Sequence, residues 1–266
     1  MVQNTEHKVD MDILHAIILG IVEGLTEFLP VSSTGHLILA GELLKLPETE
    51  FLKTFEVVIQ LGAILAVVVL YWRRLLLDRQ MMQRIIVALI PALGVGFLFY
   101  TTIRKMLGSD TVVLWALFLG GIAILFIEWF HKEEQEKNED LSILPYRTVF
   151  LIGLFQVLVV IPGVSRAGAT IMGGLLLGLS RTAIVEFSFL LAVPTMVAAT
   201  TLDLVKHGAS FSSSDVSVLL VGLMTSFVVA LLAIRFFLRF VSTHTFIPFS
   251  IYRILVALAF FLFITK

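Results

Sequence analysis

The chain has no cysteine among its 266 residues. Disulfides, thiolate metal sites and cysteine nucleophiles are therefore excluded, and any nucleophile must be an oxygen or a nitrogen. Charge is scarce as well: Asp, Glu, Lys and Arg make up 15% of the residues and sum to a net charge of −1. A chain so close to neutral lacks the basic surface that a nucleic-acid partner needs. The opening Met1–Met11 is polar, with Glu6, Lys8 and Asp10 and no small-residue cleavage site, so insertion through the spans themselves is expected.

In place of charge there is apolar length. Hydrophobic residues are 58% of the chain and the mean hydropathy is +1.00, which implies a bilayer as the solvent. Six apolar runs approach the length needed to cross a hydrocarbon core of roughly 30 Å. They are Phe55–Trp72, Ile85–Tyr100, Thr111–Phe130, Phe187–Leu202, Val216–Phe237 and Pro248–Thr265. Two further apolar regions, 12–44 and 148–178, are broken by Pro, Gly, Ser and charged residues, which a lipid-facing span does not tolerate. The predicted fold is an all-α polytopic membrane protein, a single domain over 1–266.

Arg73, Arg74, Arg79 and Arg84 mark a cytoplasmic loop, and Lys132, Lys137, Arg147, Arg235 and Arg239 then fall on the same side. The other side keeps Lys8, Lys45, Lys53, Arg104, Lys105, Lys206 and Lys266, so the bias is modest, and both termini are expected outside. The segment His131–Arg147 reads as a solvated loop.

The two broken regions resemble each other. GIVEGLTEFLPVSSTGH from Gly20 aligns with GLFQVLVVIPGVSRAGAT from Gly153, matching Gly20 to Gly153, Pro30 to Pro162 and Ser33 to Ser165. An acidic residue opens an apolar span after each, Glu56 in one half and Glu186 in the other. With an odd number of crossings between them the units are inverted, a first repeat over about 12–72 and a second over about 148–205. Broken elements at matching positions dip to the midplane and line a cavity, so 12–44 and 148–178 are read as re-entrant helical hairpins.

Within the first hairpin Glu23 and Glu27 are four residues apart and share a helix face. Two carboxylates in an apolar setting need a cation or a proton between them, and oxygen-only ligands suit Mg²⁺ or Ca²⁺. A pairing with arginine, a protonated acid or a proton relay are the alternatives. Pro30 followed by Ser32, Ser33 and Thr34 resembles a helix start whose free N–H groups favour an anion. Ser33 and His36 lie three apart on that helix, a spacing that permits a nucleophile and base pair, although a lone histidine in apolar sequence is more often a core residue. The second hairpin carries Pro162-Gly-Val-Ser165-Arg166-Ala-Gly-Ala-Thr170. Arg166 stands in an apolar stretch and must meet either an anion such as phosphate or a carboxylate, with Glu23, Glu27, Glu56 and Glu186 the available acids. GVSRA lacks the last glycine of a serine-hydrolase elbow. Brought together, these groups supply the charge neutralisation and positioning of phosphoryl transfer.

EGLTEFLPVSSTGH at Glu23–His36 and PGVSRAGAT at Pro162–Thr170 resemble the two signature motifs of the undecaprenyl-pyrophosphate phosphatase family, the BacA/UppP type. FEVVIQLGAILAVVV and EFSFLLAVP are similar to that family too, and the likeness extends over nearly the whole chain. One departure is Ala167, where the family commonly has a serine. The resemblance implies hydrolysis of undecaprenyl pyrophosphate to the monophosphate in the bacterial cytoplasmic membrane, with the site on the outer side. It also implies recycling of the lipid carrier for peptidoglycan and other wall polymers, and bacitracin resistance on overproduction. By position, Glu23 and Glu27 bind the metal or assist proton transfer, and Arg166 clamps the pyrophosphate. Ser33 and His36 supply the nucleophile and its base or acid, with Ser32, Thr34, Ser165 and Thr170 around the phosphates. Whether Ser33, His36 or a water attacks is open, as is the oligomeric state, a homodimer included. A secondary transporter or a lipid flippase sharing the inverted fold is the competing reading.

Overall fold

The computed structural model describes residues 11–98, 109–131, 140–207 and 213–264. Lys8, Arg104, Lys105, Lys132, Lys137 and Lys266, the polar opening segment, the middle of the His131–Arg147 loop and the ends of two expected spans, at Tyr100 and Thr265, lie outside the described residues; so does the side chain of Lys206. Ten α-helices, and no strand, occur among those described. They are α1 (Ile13–Thr26), α2 (Ser33–Leu43), α3 (Glu50–Leu76), α4 (Arg79–Leu98), α5 (Asp110–Phe130), α6 (Tyr146–Gln156), α7 (Arg166–Leu176), α8 (Arg181–His207), α9 (Ser213–Val241) and α10 (Ile247–Ile264). The six expected spans correspond to α3, α4, α5, α8, α9 and α10. Five of these are long and apolar enough to cross a membrane, and α10 ranks with the shorter apolar helices.

The four short helices pair into two hairpins. At 1.5 Å per residue, 14 residues in α1 and 11 in α2 reach only about 21 and 16 Å, short of a full crossing. Met11 before α1 and Leu44 and Leu46 after α2 pack into one cluster with Ala16, Leu37 and Phe55, so the first hairpin enters and leaves at the same end. The second hairpin is anchored at the other end. There Tyr146 donates to Gln83 at 3.0 Å, Arg84 donates to the Leu144 carbonyl at 3.0 Å, and the start of α8 is tied to the end of α5 by Arg181 and Glu128. Arg74, Arg84, Arg147 and Arg239 therefore belong to loops and helix ends that gather at one end of the molecule.

Close helix approach makes room for the hairpins. On α1 the residues Ala16, Leu19, Gly20, Glu23 and Gly24 are buried, an i, i+3, i+4, i+7, i+8 face. That face lies on α9: a Cβ on Gly20 would stand 2.8 Å from the Gly222 carbonyl oxygen, and one on Gly24 would stand 2.7 Å from that of Ser226. Small residues in this spacing let two backbones touch where lipid gives no hydrophobic drive for helix association. Gly153 of α6 meets the Ala88 backbone of α4 in the same manner. Around this interior the helices expose Phe97, Trp115, Phe126, Leu232 and Leu255, side chains suited to acyl chains, and Trp129 and Tyr146 at the arginine-rich end.

Candidate active site

The turns of the two hairpins meet. α1 ends at Thr26, and Glu27 and Phe28 begin a tight turn that Pro30 keeps from continuing the helix. Phe28 packs edge-on against Phe189 of α8 at 5.3 Å, which anchors this turn to the second half. Ser165 closes the gap from the other side, its hydroxyl donating to the Leu29 carbonyl at 3.3 Å. Both α2 and α7 start at this junction, so two helix N-termini with their positive dipole ends are directed at it.

Each short helix begins with a serine cap: Ser32 Oγ accepts from Gly35 N at 3.4 Å and Ser165 Oγ accepts from Gly168 N at 3.0 Å. The structural equivalents are thus Ser32 with Ser165 and Ser33 with Arg166, one position off the alignment of Ser33 with Ser165. The prolines misled the alignment because the second turn holds one residue more between Pro162 and its cap. Ser32 adopts φ 73°, a left-handed value that costs a non-glycine residue about 1–3 kcal/mol. Its carbonyl, turned by that geometry, accepts from His36 Nδ1 at 2.8 Å.

That contact fixes the histidine. A carbonyl can only accept, so Nδ1 carries the hydrogen; in the neutral ring Nε2 then keeps its lone pair and accepts from the Tyr252 hydroxyl of α10 at 2.8 Å. The expected pairing of Ser33 with His36 is therefore corrected. Ser33 Oγ donates instead to Glu27 Oε2 at 2.5 Å, because the turn folds the acid back over the first residue of α2. The other oxygen, Glu27 Oε1, accepts from Arg166 at 3.1 Å, and a second Arg166 nitrogen donates to the Ser188 carbonyl at 3.0 Å. Of the acids open to it, Arg166 has taken Glu27, while Glu186 is bound by Arg74 at 2.8 Å.

Two groups in this buried cluster are left without partners. Neither carboxyl oxygen of the fully buried Glu23 has a hydrogen-bond donor, and Arg166 Nε has no acceptor. The Glu27 carboxyl lies near enough to Glu23 for a hydrogen bond when one of the pair holds a proton, and the charges of Glu56 and Arg166 also act on Glu23. The pair Glu23 and Glu27 offers hard oxygens to Mg²⁺ or Ca²⁺, and the free oxygens of Glu23 fit a ligand role. Glu27 has spare lone pairs beyond the bonds to Ser33 and Arg166. No group of three or more His, Asp or Glu gathers as a metal site among the described residues, so the rest of such a shell would come from substrate and water.

The remaining expected residues are placed differently. The Ser165 hydroxyl is occupied by the turn, and that of Thr170 lies 2.7 Å from Ser188 Oγ, both within the protein. Thr34 alone of the Ser32–Thr34 run is exposed. Two residues of α10 were not singled out from sequence: Tyr252, on His36, and Arg253, 1% exposed, which donates to Pro30 O and Ala116 O at 3.0 Å and to Leu117 O and Gly163 O at 3.3 Å. The tyrosine gave no signal of its own. The arginine did, since it stands in an apolar span, where a charge marks a function by default.

Comparison with known proteins places this junction in a family. A protein of Aquifex aeolicus named undecaprenyl-diphosphatase is 51% identical over 252 residues, covering 93% of this chain and 98% of the relative. Proteins of the same name from Persephonella marina and Thermus thermophilus are each 52% identical, covering 96% and 91% of this chain. The family model described as bacitracin resistance protein BacA matches residues 16–259. Since that match runs from within α1 to within α10, over most of the chain, the chain belongs to the BacA family.

Proposed function

We propose that the chain is a multi-pass undecaprenyl-diphosphatase that hydrolyses undecaprenyl pyrophosphate to undecaprenyl phosphate and inorganic phosphate, with Glu27, Ser33 and Arg166 at its centre. The observation that carries the site assignment is that Glu27, whose carboxylate takes the Ser33 hydroxyl and Arg166, shares its buried cluster with two unsatisfied groups, the Nε donor of Arg166 and the carboxyl oxygens of Glu23. A buried donor and acceptor left unmade cost about 1–3 kcal/mol each, more for charged groups. A phosphate satisfies the first and a divalent cation the second.

In this reading Glu27 takes the Ser33 proton while the Ser33 oxygen attacks the terminal phosphorus. The bond to the bridging oxygen breaks, and undecaprenyl phosphate leaves. Glu27 passes that proton to the departing phosphate oxygen and, ionised again, accepts one from water as the water attacks the phosphoserine; it returns this second proton to the Ser33 oxygen as inorganic phosphate is released. Arg166 holds the phosphoryl oxygens through its free N–H, and the two helix N-termini add fixed positive potential. Mg²⁺ or Ca²⁺ held by Glu23 and Glu27 would supply further neutralisation of the phosphates. A secondary transporter needs an anion site, yet gains nothing from a hydroxyl hydrogen-bonded to a carboxylate.

The two hairpins and their following spans are read as inverted repeats of about 12–72 and 148–205. The first hairpin opens at the end opposite the arginine-rich loops, so the positive-inside rule puts the mouth of the site on the outer face of the bacterial cytoplasmic membrane.

The purified protein is expected to release phosphate from C55 or C15 prenyl pyrophosphate with a divalent cation present. Glu27→Gln and Arg166→Ala are each expected to lower kcat by roughly 100- to 10,000-fold, the range for removing a general base or an oxyanion-type contact. Wild-type turnover by either variant in excess chelator refutes the site.

A further inference from the structure

The guanidinium of Arg253 reaches from α10 to both hairpin turns at once. One terminal nitrogen donates to Pro30 O at 3.0 Å in the first turn, the other to Gly163 O at 3.3 Å in the second and to Ala116 O at 3.0 Å on α5, while Nε donates to Leu117 O at 3.3 Å. Every acceptor is a backbone carbonyl. A guanidinium taken out of water without a carboxylate is poorly repaid, and an apolar side chain would fill the same volume at lower cost if packing were its only task. What an apolar side chain cannot supply is direction: the planar fork holds donors at fixed angles, and these four carbonyls use that fan.

The surroundings are built to admit the group. On α5 a Cβ at Gly120 would stand 2.8 Å from the guanidinium carbon, and one at Gly121 would stand 2.9 Å from the Ser250 carbonyl oxygen. Consecutive glycines cost helix stability in an otherwise well-formed span, and here they open the gap through which Arg253 passes. Gly163 turns its carbonyl toward the guanidinium with φ 89°, and a Cβ there would meet Val113 O at 2.7 Å.

We propose that Arg253 is a positioning residue that sets the distance between the two turns, and with it the register of Ser33 and Glu27 against Arg166. The inference rests on reading the junction as the phosphatase centre. Ser33 follows Pro30 by three residues, and Arg166 follows Gly163 by three, so a shift of either clamped carbonyl is passed directly to the group that does the chemistry. Misplacement by about 1 Å lowers turnover by roughly 100-fold.

The test uses the full-length protein in detergent, assayed for phosphate release from farnesyl pyrophosphate with Mg²⁺, alongside melting temperature. Wild type and Arg166→Ala establish whether the phosphatase reading holds; an inactive wild type sinks that reading, independently of Arg253. Given an active wild type, Arg253→Met is expected to lower kcat at least tenfold per folded molecule with KM within about twofold. Arg253→Lys, with fewer donors, is expected to fall between, and Gly120→Ala, which crowds the guanidinium, to act in the same direction. Should Arg253→Met fail to fold, the lysine and Gly120 variants are judged by the same criteria. Unchanged kcat, a loss that matches only the unfolded fraction, or a raised KM with kcat intact overturns the proposal, the last because it would mean direct contact with substrate.

Discussion

At the scale of single residues, the proposed mechanism divides the polar groups into those that react and those that hold. Glu27 is the hub, with one oxygen on Ser33 and the other on Arg166. His36 belongs to the holding class, since its two nitrogens go to the Ser32 carbonyl and the Tyr252 hydroxyl. Tyr252→Phe removes one neutral hydrogen bond, worth about 1 kcal/mol, and should lower kcat by about fivefold in the phosphate-release assay. A Tyr252→Phe enzyme indistinguishable from wild type would mean that the hydroxyl does not steady the ring. Glu23, Glu27, Ser33 and Arg166 were legible in the sequence because charge and hydroxyls clustered within apolar stretches have no cheap structural explanation. Their bonding was not legible. A spacing of three residues permits Ser33 to reach His36, but a reversed turn delivered Glu27 to Ser33 first, and the partner of His36 lies 216 residues away.

At the scale of elements, the hairpins depend on glycine seams more than on their own length. α1 can approach α9 only because Gly20 and Gly24 present no side chain to the carbonyls of Gly222 and Ser226. Gly24→Leu forces these backbones apart and should destabilise the fold by about 1–3 kcal/mol or more. Gly41→Leu, at a position with nothing within 4 Å of a built Cβ, is the matched control, and an equal fall in melting temperature for both would refute the seam. The breaks within the two hairpins were readable because proline, glycine and charge interrupt apolar runs where the backbone must turn, although α6 begins at Tyr146, ahead of the expected limit of 148. Helix ends were less so: α3 runs on to Leu76 beyond Trp72 because Arg73 and Arg74 favour a helix C-terminus, although hydropathy alone stops at the tryptophan. The serine alignment slipped for a comparable reason, as a proline marks the turn but not the residue that caps the next helix.

At the scale of the whole molecule, the end opposite the first hairpin is fastened by a buried ion pair as well as by the hydrophobic cluster that includes Leu75, Met81, Leu141, Leu179 and Phe246. Glu128 receives Arg181 through two bonds of 3.0 and 2.7 Å and also accepts the Phe246 N–H at 2.7 Å, joining α5, α8 and the entry to α10. Arg181→Met strands a buried carboxylate and should cost roughly 3–5 kcal/mol, read as a fall in detergent melting temperature, while kcat of the surviving protein stays close to wild type. A loss of kcat without loss of stability would place this pair in the reaction instead. The global plan was legible from periodic apolar length and broken repeats, whereas pairings across the molecule, α5 on α10 and α1 on α9, have no local signature. The Arg253 clamp carries one more consequence, for biosynthesis. Its bond to the Pro30 carbonyl spans 223 residues, so the ribosome delivers both turns long before the helix that fastens them. If Arg253 sets the junction as proposed, a nascent chain holds Ser33 and its neighbouring acids in the bilayer unassembled, and activity is expected only once the last helix inserts.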